Sequence, residues 1–180
     1  MMKKNRISEI IFEDGGPATL KLEYNADDLI SKMYVNAIIF REFSYVDNRL
    51  SAMSAFDEMG NFTEETTFSF NDGHYLSTSG TTYDFKVDNQ NQLLTYFNET
   101  FAYTSNSGVH KYLKLQPALY ILEDITFIAL YFGNNEWIDY SVSATNYDLN
   151  NTRDDNNNIV NISLSNSEDD IPIATWTISL

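Results

Sequence analysis

The sequence contains no cysteine, three prolines, seven glycines and few basic residues. Without cysteine, neither a disulfide nor a thiolate metal site can form, and the redox compartment cannot be read from the chain. Lys and Arg total 11 against 26 Asp and Glu, which gives a formal net charge of −15. Such a charge repels nucleic acid phosphates and anionic membrane surfaces, so we exclude nucleic acid as a partner.

Length and apolar content set the expected domain organisation. With 180 residues, of which 43% are hydrophobic and 14% aromatic, the chain is long enough for a single domain, 1–180. Residues 1–6 are charged like the start of a signal peptide, but residues 7–13 alternate instead of running apolar. We expect 1–6 to be a flexible N-terminus of a mature chain that lacks its leader. The sequence has no run of about 18 apolar residues, so it predicts no transmembrane helix.

One short phrase recurs along the chain. Each copy has an aromatic or aliphatic strand end, a knot of Asp and Asn, and a new alternating apolar stretch, which is typical of a β-hairpin. The copies lie at residues 22–33, 43–53, 56–63, 85–96 and, in degenerate form, 154–162. The 15 Asp and 20 Asn concentrate at these bends, because both residue types tolerate left-handed backbone.

One copy of the phrase is shorter than the others, and its length predicts where the turn lies. Tyr24 and Ile30 are six residues apart, whereas Tyr45 and Leu50 are five apart. A deletion within a strand would turn every later side chain to the other face of the sheet. We therefore expect the missing residue to fall in the turn at 46–49.

The apolar run 117–133 is an exception to the hairpin pattern. Its apolar residues follow helical spacing, with Pro117 early and Gly133 at the end. We expect one short helix near 117–131. A pair of buried strands is the alternative, because periodicity cannot distinguish the two in so apolar a run.

The order of these features resembles two groups of known proteins. Residues 56–63, Phe-Asp-Glu-Met-Gly-Asn-Phe-Thr, resemble the YD repeat of Rhs-type surface proteins. The whole layout, over most of residues 5 to 180, is similar to a family of secreted Bacteroidetes lipoproteins that is known as a domain of unknown function with a porin-like fold. The copy at 154–162 departs from the pattern because it lacks glycine. The resemblance implies an exported, curled meander, lipid-anchored at a cysteine absent here, and it transfers no catalytic residue.

Candidate catalytic residues are few. His74 and His110 lie in polar, loop-like segments, and no serine has an oriented base or a Gly-x-Ser-x-Gly elbow to mark it as a nucleophile. Paired acids such as Asp27-Asp28 and Asp154-Asp155 would suit a glycosidase only if two carboxylates faced each other across a cleft. Adjacent acids in exposed turns do not meet that requirement. We therefore predict no catalytic residue.

Metal and cofactor sites are equally weak in the sequence. Asp154, Asn156 and Asn158 begin like a calcium loop, but Ile159 stands where the turn glycine belongs and Ser165 where the bidentate acid belongs. Plain turn residues are the preferred interpretation, and a weak surface calcium site is the alternative. We expect no cofactor and no metal centre.

Aromatic residues are dense enough to form a stacking surface for a ligand. Most are expected in the core, where an aromatic side chain buries about 150–250 Å². Trp137 follows the polar segment 133–136 and so lies near a loop, and Tyr140 is close to it. We therefore predict Trp137 and Tyr140 as the ligand-binding residues.

These patterns together predict an all-β protein, an antiparallel meander of hairpins that forms a strongly curved open sheet or partial barrel. The expected function is that of a non-enzymatic, monomeric cell-envelope or surface protein that binds a glycan or another extracellular ligand. A structural or partner-binding module of a YD-repeat assembly is the first alternative. A glycan-active enzyme is the second.

Overall fold

The computed structural model describes residues 8–12, 18–108, 115–121, 135–142, 145–167 and 172–177. These residues form fourteen β-strands and one 3-10 helix, Pro117–Ile121. The all-β class expected from the sequence is confirmed. The strands are β1 (Glu9–Phe12), β2 (Ala18–Tyr24), β3 (Ile30–Val35), β4 (Ile38–Val46), β5 (Arg49–Phe56), β6 (Phe62–Asn71), β7 (His74–Ser79), β8 (Asp84–Val87), β9 (Leu93–Tyr96), β10 (Glu99–Ser107), β11 (Asn135–Val142), β12 (Thr145–Arg153), β13 (Ile159–Asn166) and β14 (Pro172–Thr177).

Internal contacts divide the chain into two compact units, Met1–Asp84 with Gln116–Ile121 and Phe85–Leu115 with Leu122–Leu180. In the first unit, β1 to β7 pair antiparallel in chain order. In the second unit, β8 to β14 pair in the same way. Within the described ranges β1 pairs only with β2, and β14 only with β13, so the expected open antiparallel meander is confirmed. A single domain over 1–180 stays a prediction, and residues 1–6 lie outside the described part.

One five-residue turn joins strands at several places, and 57–61 shows its hydrogen bonds. The Asp57 N–H donates to the Asn61 carbonyl, and the Gly60 N–H donates to the Asp57 carbonyl, both at 2.9 Å. Asp57 Oδ1 accepts the backbone N–H groups of Met59 and Asn61 at 2.9 and 2.8 Å. Asp57 Oδ2 accepts the Asn61 side-chain amide at 3.1 Å. We call this arrangement the carboxylate turn.

The carboxylate turn recurs wherever the repeated phrase is full length. Turns 88–92 and 154–158 reproduce every one of these hydrogen bonds. Turn 25–29 reproduces the backbone pattern, with the Asn25 side-chain oxygen accepting both backbone N–H groups. The fourth residue of each turn has positive φ, from 60° at Asn91 to 80° at Gly60. The clustered Asp and Asn residues are therefore turns between strands, as the sequence predicts.

Each carboxylate turn is followed by a β-bulge one residue into the next strand. After turn 25–29, Tyr24 pairs with Ile30 and Glu23 with Lys32, so Ser31 is the extra residue. The same shift follows the other three turns. A bulge changes which side chains share a face, so Ile30 and Met33, three residues apart, are both buried.

The short copy of the phrase, residues 43–53, contains a two-residue turn. Asp47 and Asn48 have φ of 52° and 61°, the left-handed backbone of a tight hairpin turn, and Val46 pairs with Arg49. The missing residue thus falls within 46–49, as expected.

The 3-10 helix belongs to the core of the first unit. All five of its residues are buried. Gln116, which precedes it and is 2% exposed, accepts the Ile30 N–H at 2.6 Å and donates to the Asp28 carbonyl at 3.0 Å. Of the expected helix near 117–131, residues 117–121 form a short 3-10 helix and not a strand. Residues 122–131 lie outside the described ranges.

A pair of glycine substitutions tests how closely the chain packs before β8. A Cβ on Gly80, at φ +74°, would lie 2.6 Å from both the Glu65 carbonyl oxygen and Thr66 Oγ1, whereas a Cβ on Gly60, at φ +80°, would meet nothing closer than 3.5 Å. We expect Gly60→Ala to cost about 1–2 kcal/mol of unfolding free energy for its backbone alone. Gly80→Ala should cost roughly 3 kcal/mol or more, because overpacking is added. Urea unfolding measures both, and equal costs would contradict the close contact at Thr66.

The carboxylate turn predicts a pH-dependent contribution to stability. Hydrogen bonds from Asn158 and Asn156 lower the pKa of Asp154 below its ordinary 3.8, so its contribution is present above that pH and is lost as pH falls through the lower value. Asp154→Ala should therefore lower the melting temperature at neutral pH more than Asp155→Ala, whose side chain is exposed. The difference should shrink in acid. Equal melting temperatures at neutral pH would show that the carboxylate does not hold the turn.

Candidate functional site

A β-bulge in β11 brings the two predicted ligand-binding residues to one face of the sheet. Ala102 of β10 pairs with Asp139, but Tyr103 pairs with Trp137, so Ile138 is the extra residue. In a regular strand, residues three apart point to opposite faces. Because of the bulge, the Trp137 and Tyr140 rings pack against each other at a centroid distance of 5.8 Å.

Four aromatic rings form a continuous row across β10, β11 and β12. Phe101 lies 5.7 Å from Trp137 and 5.5 Å from Tyr140, measured between ring centroids. Tyr140 pairs directly with Tyr147, and their rings stack at 5.5 Å with an interplanar angle of 27°. We call these four residues the aromatic row. Contacts of this length and geometry are typical of favourable aromatic pairs.

The aromatic row is buried at one end and half-buried at the other. Trp137 is 4% exposed and Phe101 is 5% exposed. The indole N–H of Trp137 donates to the Asp139 carbonyl at 2.7 Å, which satisfies its polar group inside the protein. Tyr140 and Tyr147 are half-buried. Of the two predicted residues, Trp137 is therefore buried and packs against the other rings, whereas Tyr140 has ring surface that a ligand can reach.

Glu99 adds a carboxyl group to the half-buried end of the aromatic row. It lies two residues before Phe101 on β10, so both side chains point to the same face, and it pairs with Val142 of β11. Burial raises the pKa of Glu99, and a hydrogen bond with Tyr140 opposes the rise. Its Oε2 atom is buried and has no hydrogen-bond partner among the described residues. A half-buried acid with one unpaired oxygen beside two half-buried tyrosines is a candidate for binding a polar group.

A polar network joins β11 to the two strands beside it. Glu136 accepts an ion pair from Arg153 at 3.3 Å and a hydrogen bond from the Asn106 amide at 2.9 Å. Burial would raise the pKa of Glu136, but the Asn106 hydrogen bond and the Arg153 charge outweigh it and lower the pKa. Asn151 donates to the Trp137 carbonyl at 3.1 Å. These contacts hold β11 in place between β10 and β12.

The His and acidic side chains considered for catalysis or metal binding do not converge in the described part of the chain. His74 Nε2 lies 2.7 Å from Asp84 Oδ1 at a partly exposed position, and His110 lies outside the described residues. The Asp154 carboxylate accepts three N–H donors of its own turn. In the part of the chain that is described, no three His, Asp or Glu side chains are grouped so that they could hold a metal ion. The weak surface calcium site stays a prediction.

Comparison with known proteins gives a likeness of structure only. The chain matches no protein-family profile and no curated protein. It is similar to the crystal structure of a porin-like protein from Bacteroides vulgatus, with 15% sequence identity, 97% of this chain and 98% of that chain covered, and a TM-score of 0.45. A porin-like protein from Bacteroides uniformis is similar with 11% identity, coverage of 94% and 92%, and a TM-score of 0.37.

These two structures carry the porin-like description that the sequence resemblance names, and both come from Bacteroides. Because both TM-scores are below 0.5, we rest no argument on either likeness. The YD-repeat kinship and the lipid anchor stay predictions. None of the helices described here has the length and apolar character needed to cross a membrane.

Two residues of the site were not predicted from the sequence. Tyr147 is one residue before Asp148, and Glu99 follows the turn at 97–98, so each looks like an ordinary strand end. The signal that could have found Tyr147 is its cross-strand position opposite Tyr140, which depends on the register between β11 and β12. Glu99 could have been found only from its spacing of two residues before Phe101.

The environment of Glu99 predicts that this acid costs stability. Because burial raises its pKa, the ionised carboxylate is less favourable in the folded state than in water, and the cost is present at neutral pH and disappears in acid. Glu99→Gln should therefore raise the melting temperature at neutral pH. The gain should shrink as the pH falls through the raised pKa of Glu99, and it should be gone below pH 4.5, the ordinary pKa of glutamate. The control is Glu65→Gln, an exposed acid on β6. An equal gain in both variants would mean that only net charge matters.

Proposed function

We propose that this protein is a non-enzymatic cell-envelope or surface protein that binds a glycan at the half-buried end of the aromatic row. Tyr140 and Tyr147 present ring surface, and Glu99 presents a carboxylate. The observation that carries the proposal is the stacked, half-buried tyrosine pair beside the half-buried side chain of Glu99, whose Oε2 atom has no hydrogen-bond partner among the described residues. Residues that combine a cost in stability with partial exposure are typical of binding sites.

The chemistry of the row suits a sugar ring. A pyranose has one apolar face of C–H groups, which can pack on an aromatic ring, and a rim of hydroxyl groups, which can donate to a carboxylate. Binding sites of this kind are largely apolar with a few placed polar groups that fix orientation. The Tyr140 and Tyr147 rings supply the apolar contact, and Glu99 supplies the polar one.

The placement of the acids around the aromatic row favours binding over hydrolysis. A glycosidase needs two carboxyl groups at a set separation across the bond that it cleaves. Asp139 and Asp148 pair with each other one position away from Tyr140 and Tyr147, so strand alternation directs them to the opposite face. Neither Asp139 nor Asp148 therefore shares the face of Glu99.

Location at the envelope, a lipid anchor and a monomeric state belong to the same proposal. They derive from the resemblance to secreted Bacteroidetes lipoproteins. The high negative charge is compatible with them, because it opposes self-association and disfavours nucleic acid as a partner. A structural module of a YD-repeat assembly is the alternative that a failure to bind glycans would favour.

A glycan array followed by calorimetry tests the proposal. We expect the protein to retain a specific glycan, Tyr140→Ala to lose about tenfold or more in affinity because the ring contact is removed, and Tyr140→Phe to keep most of it. Leu76→Ala, on β7 and 41% exposed, is the control for loss of an apolar side chain. Trp137→Ala is a poorer test, because a buried tryptophan replaced by alanine costs about 3–5 kcal/mol of stability.

Two results would overturn the proposal. The first is that the folded protein retains nothing on an array of bacterial, plant and animal glycans. The second is that Tyr140→Ala and Leu76→Ala bind the retained glycan equally well. Release of shortened sugar chains from any retained polysaccharide would overturn its non-enzymatic part.

A further inference from the structure

An apolar groove lies at one end of the first unit, between the turns 36–37 and 57–61. Its volume is about 630 Å³, within the range of pockets that bind ligands. The apolar residues that line it are Val35, Ile38, Ile39, Phe40 and Phe56, and the polar ones are Asn36, Asp57 and Glu58. The lining is thus mostly apolar, with two acids at its edge.

Apolar exposure extends beyond the groove itself. Ile38 is 42% exposed, Phe62 is 60% exposed and Met59 is 81% exposed. The Phe62 ring packs edge to face on Phe56, with 6.2 Å between centroids. Large exposed apolar side chains that lie together are typical of interaction surfaces rather than of free surface. We call Ile38, Phe56, Met59 and Phe62 the apolar patch.

The orientation of one hairpin explains why the apolar patch is exposed. Turn 57–61 joins β5 to β6, whereas turn 25–29 joins β2 to β3, so the two turns lie at opposite ends of the first meander. In an antiparallel meander, two hairpins that are an odd number of strands apart are related by a rotation of half a turn about an axis in the sheet plane. Equivalent residues of the two hairpins therefore point to opposite faces of the sheet. Ile30, the first residue after turn 25–29, is 1% exposed, whereas Phe62, the first residue after turn 57–61, is 60% exposed.

The charges around the groove indicate the kind of partner. Glu58 is exposed and forms no ion pair with any described residue, and Asp57 is ionised within its carboxylate turn. One cation is near, because the Arg41 guanidinium stacks on the Phe40 ring at 3.7 Å. The rim is therefore net negative. A second copy of this chain would bring its own charge of −15 to the contact, which disfavours self-association.

We propose that the apolar patch and its groove bind a basic, apolar peptide segment of a partner protein. Apolar side chains of the segment enter the groove and cover Met59 and Phe62, and a Lys or Arg side chain pairs with Glu58. The area of exposed apolar surface extends past the groove, which suits a peptide better than a small molecule. This site lies in the first unit and is independent of the aromatic row in the second.

Two labelled peptides test the inference by fluorescence anisotropy. The probe is a nonapeptide that repeats Lys-Leu-Phe, and its partner has Glu in place of every Lys. We expect the basic peptide to bind and the acidic one not to bind. Phe62→Ser should weaken binding about tenfold through lost apolar contact, and Leu76→Ser should change it little. Glu58→Lys should also weaken binding of the basic peptide, and added salt should reduce the difference.

The exposed positions of the substituted residues keep the test interpretable. Phe62, Glu58 and Leu76 are all on the surface, so each variant is expected to fold, which circular dichroism checks. Binding of neither peptide, equal binding of both, or an equal effect of Phe62→Ser and Leu76→Ser would overturn the inference. So would a dimer of the unaltered protein that Phe62→Ser dissociates, because the patch would then serve a second copy of the chain.

Discussion

The hydrogen bonds from backbone N–H groups to the side-chain oxygen of one Asp or Asn in each five-residue turn are the interaction on which this architecture depends. A turn of five residues leaves several N–H groups without strand partners, and unsatisfied backbone groups are costly. The side chain that begins the turn accepts two of them and, in three of the four turns, a side-chain amide as well. This is why Asp or Asn stands at the first position of each of these turns.

The bulge that follows each turn is as important as the turn itself. It sets which residues of the new strand face inward, and a further bulge at Ile138 does the same for the aromatic row. Buried and half-buried aromatic rings then meet on one side of β10 to β12, and the Glu136–Arg153 ion pair joins β11 to β12. The candidate site is thus a product of strand irregularity, since regular alternation would place Trp137 and Tyr140 on opposite faces.

The difference between what could and could not be predicted from the sequence follows from this. Turn positions depend on local residues, so the hairpins, the all-β class and the shortened turn at 46–49 were predictable. Side-chain facing depends on bulges and on the pairing of distant strands, which no short pattern reveals. For this reason Trp137 was expected near the surface of a loop and lies in the core, Glu99 was missed, and Phe62 could not be distinguished from its buried equivalents. The roles of Trp137 and Tyr140 in binding stay predictions.

Hairpins that are an odd number of strands apart turn opposite faces to the core, and this has a consequence for how such a chain can lengthen. Copying a hairpin together with its own two strands keeps every inward side chain inward, so the sheet grows without disturbing its core. Copying it with an odd number of strands sends the same apolar residues to the outside. A meander of this kind can therefore gain an exposed apolar surface when the number of strands before a hairpin changes from even to odd, with no change in the hairpin's sequence.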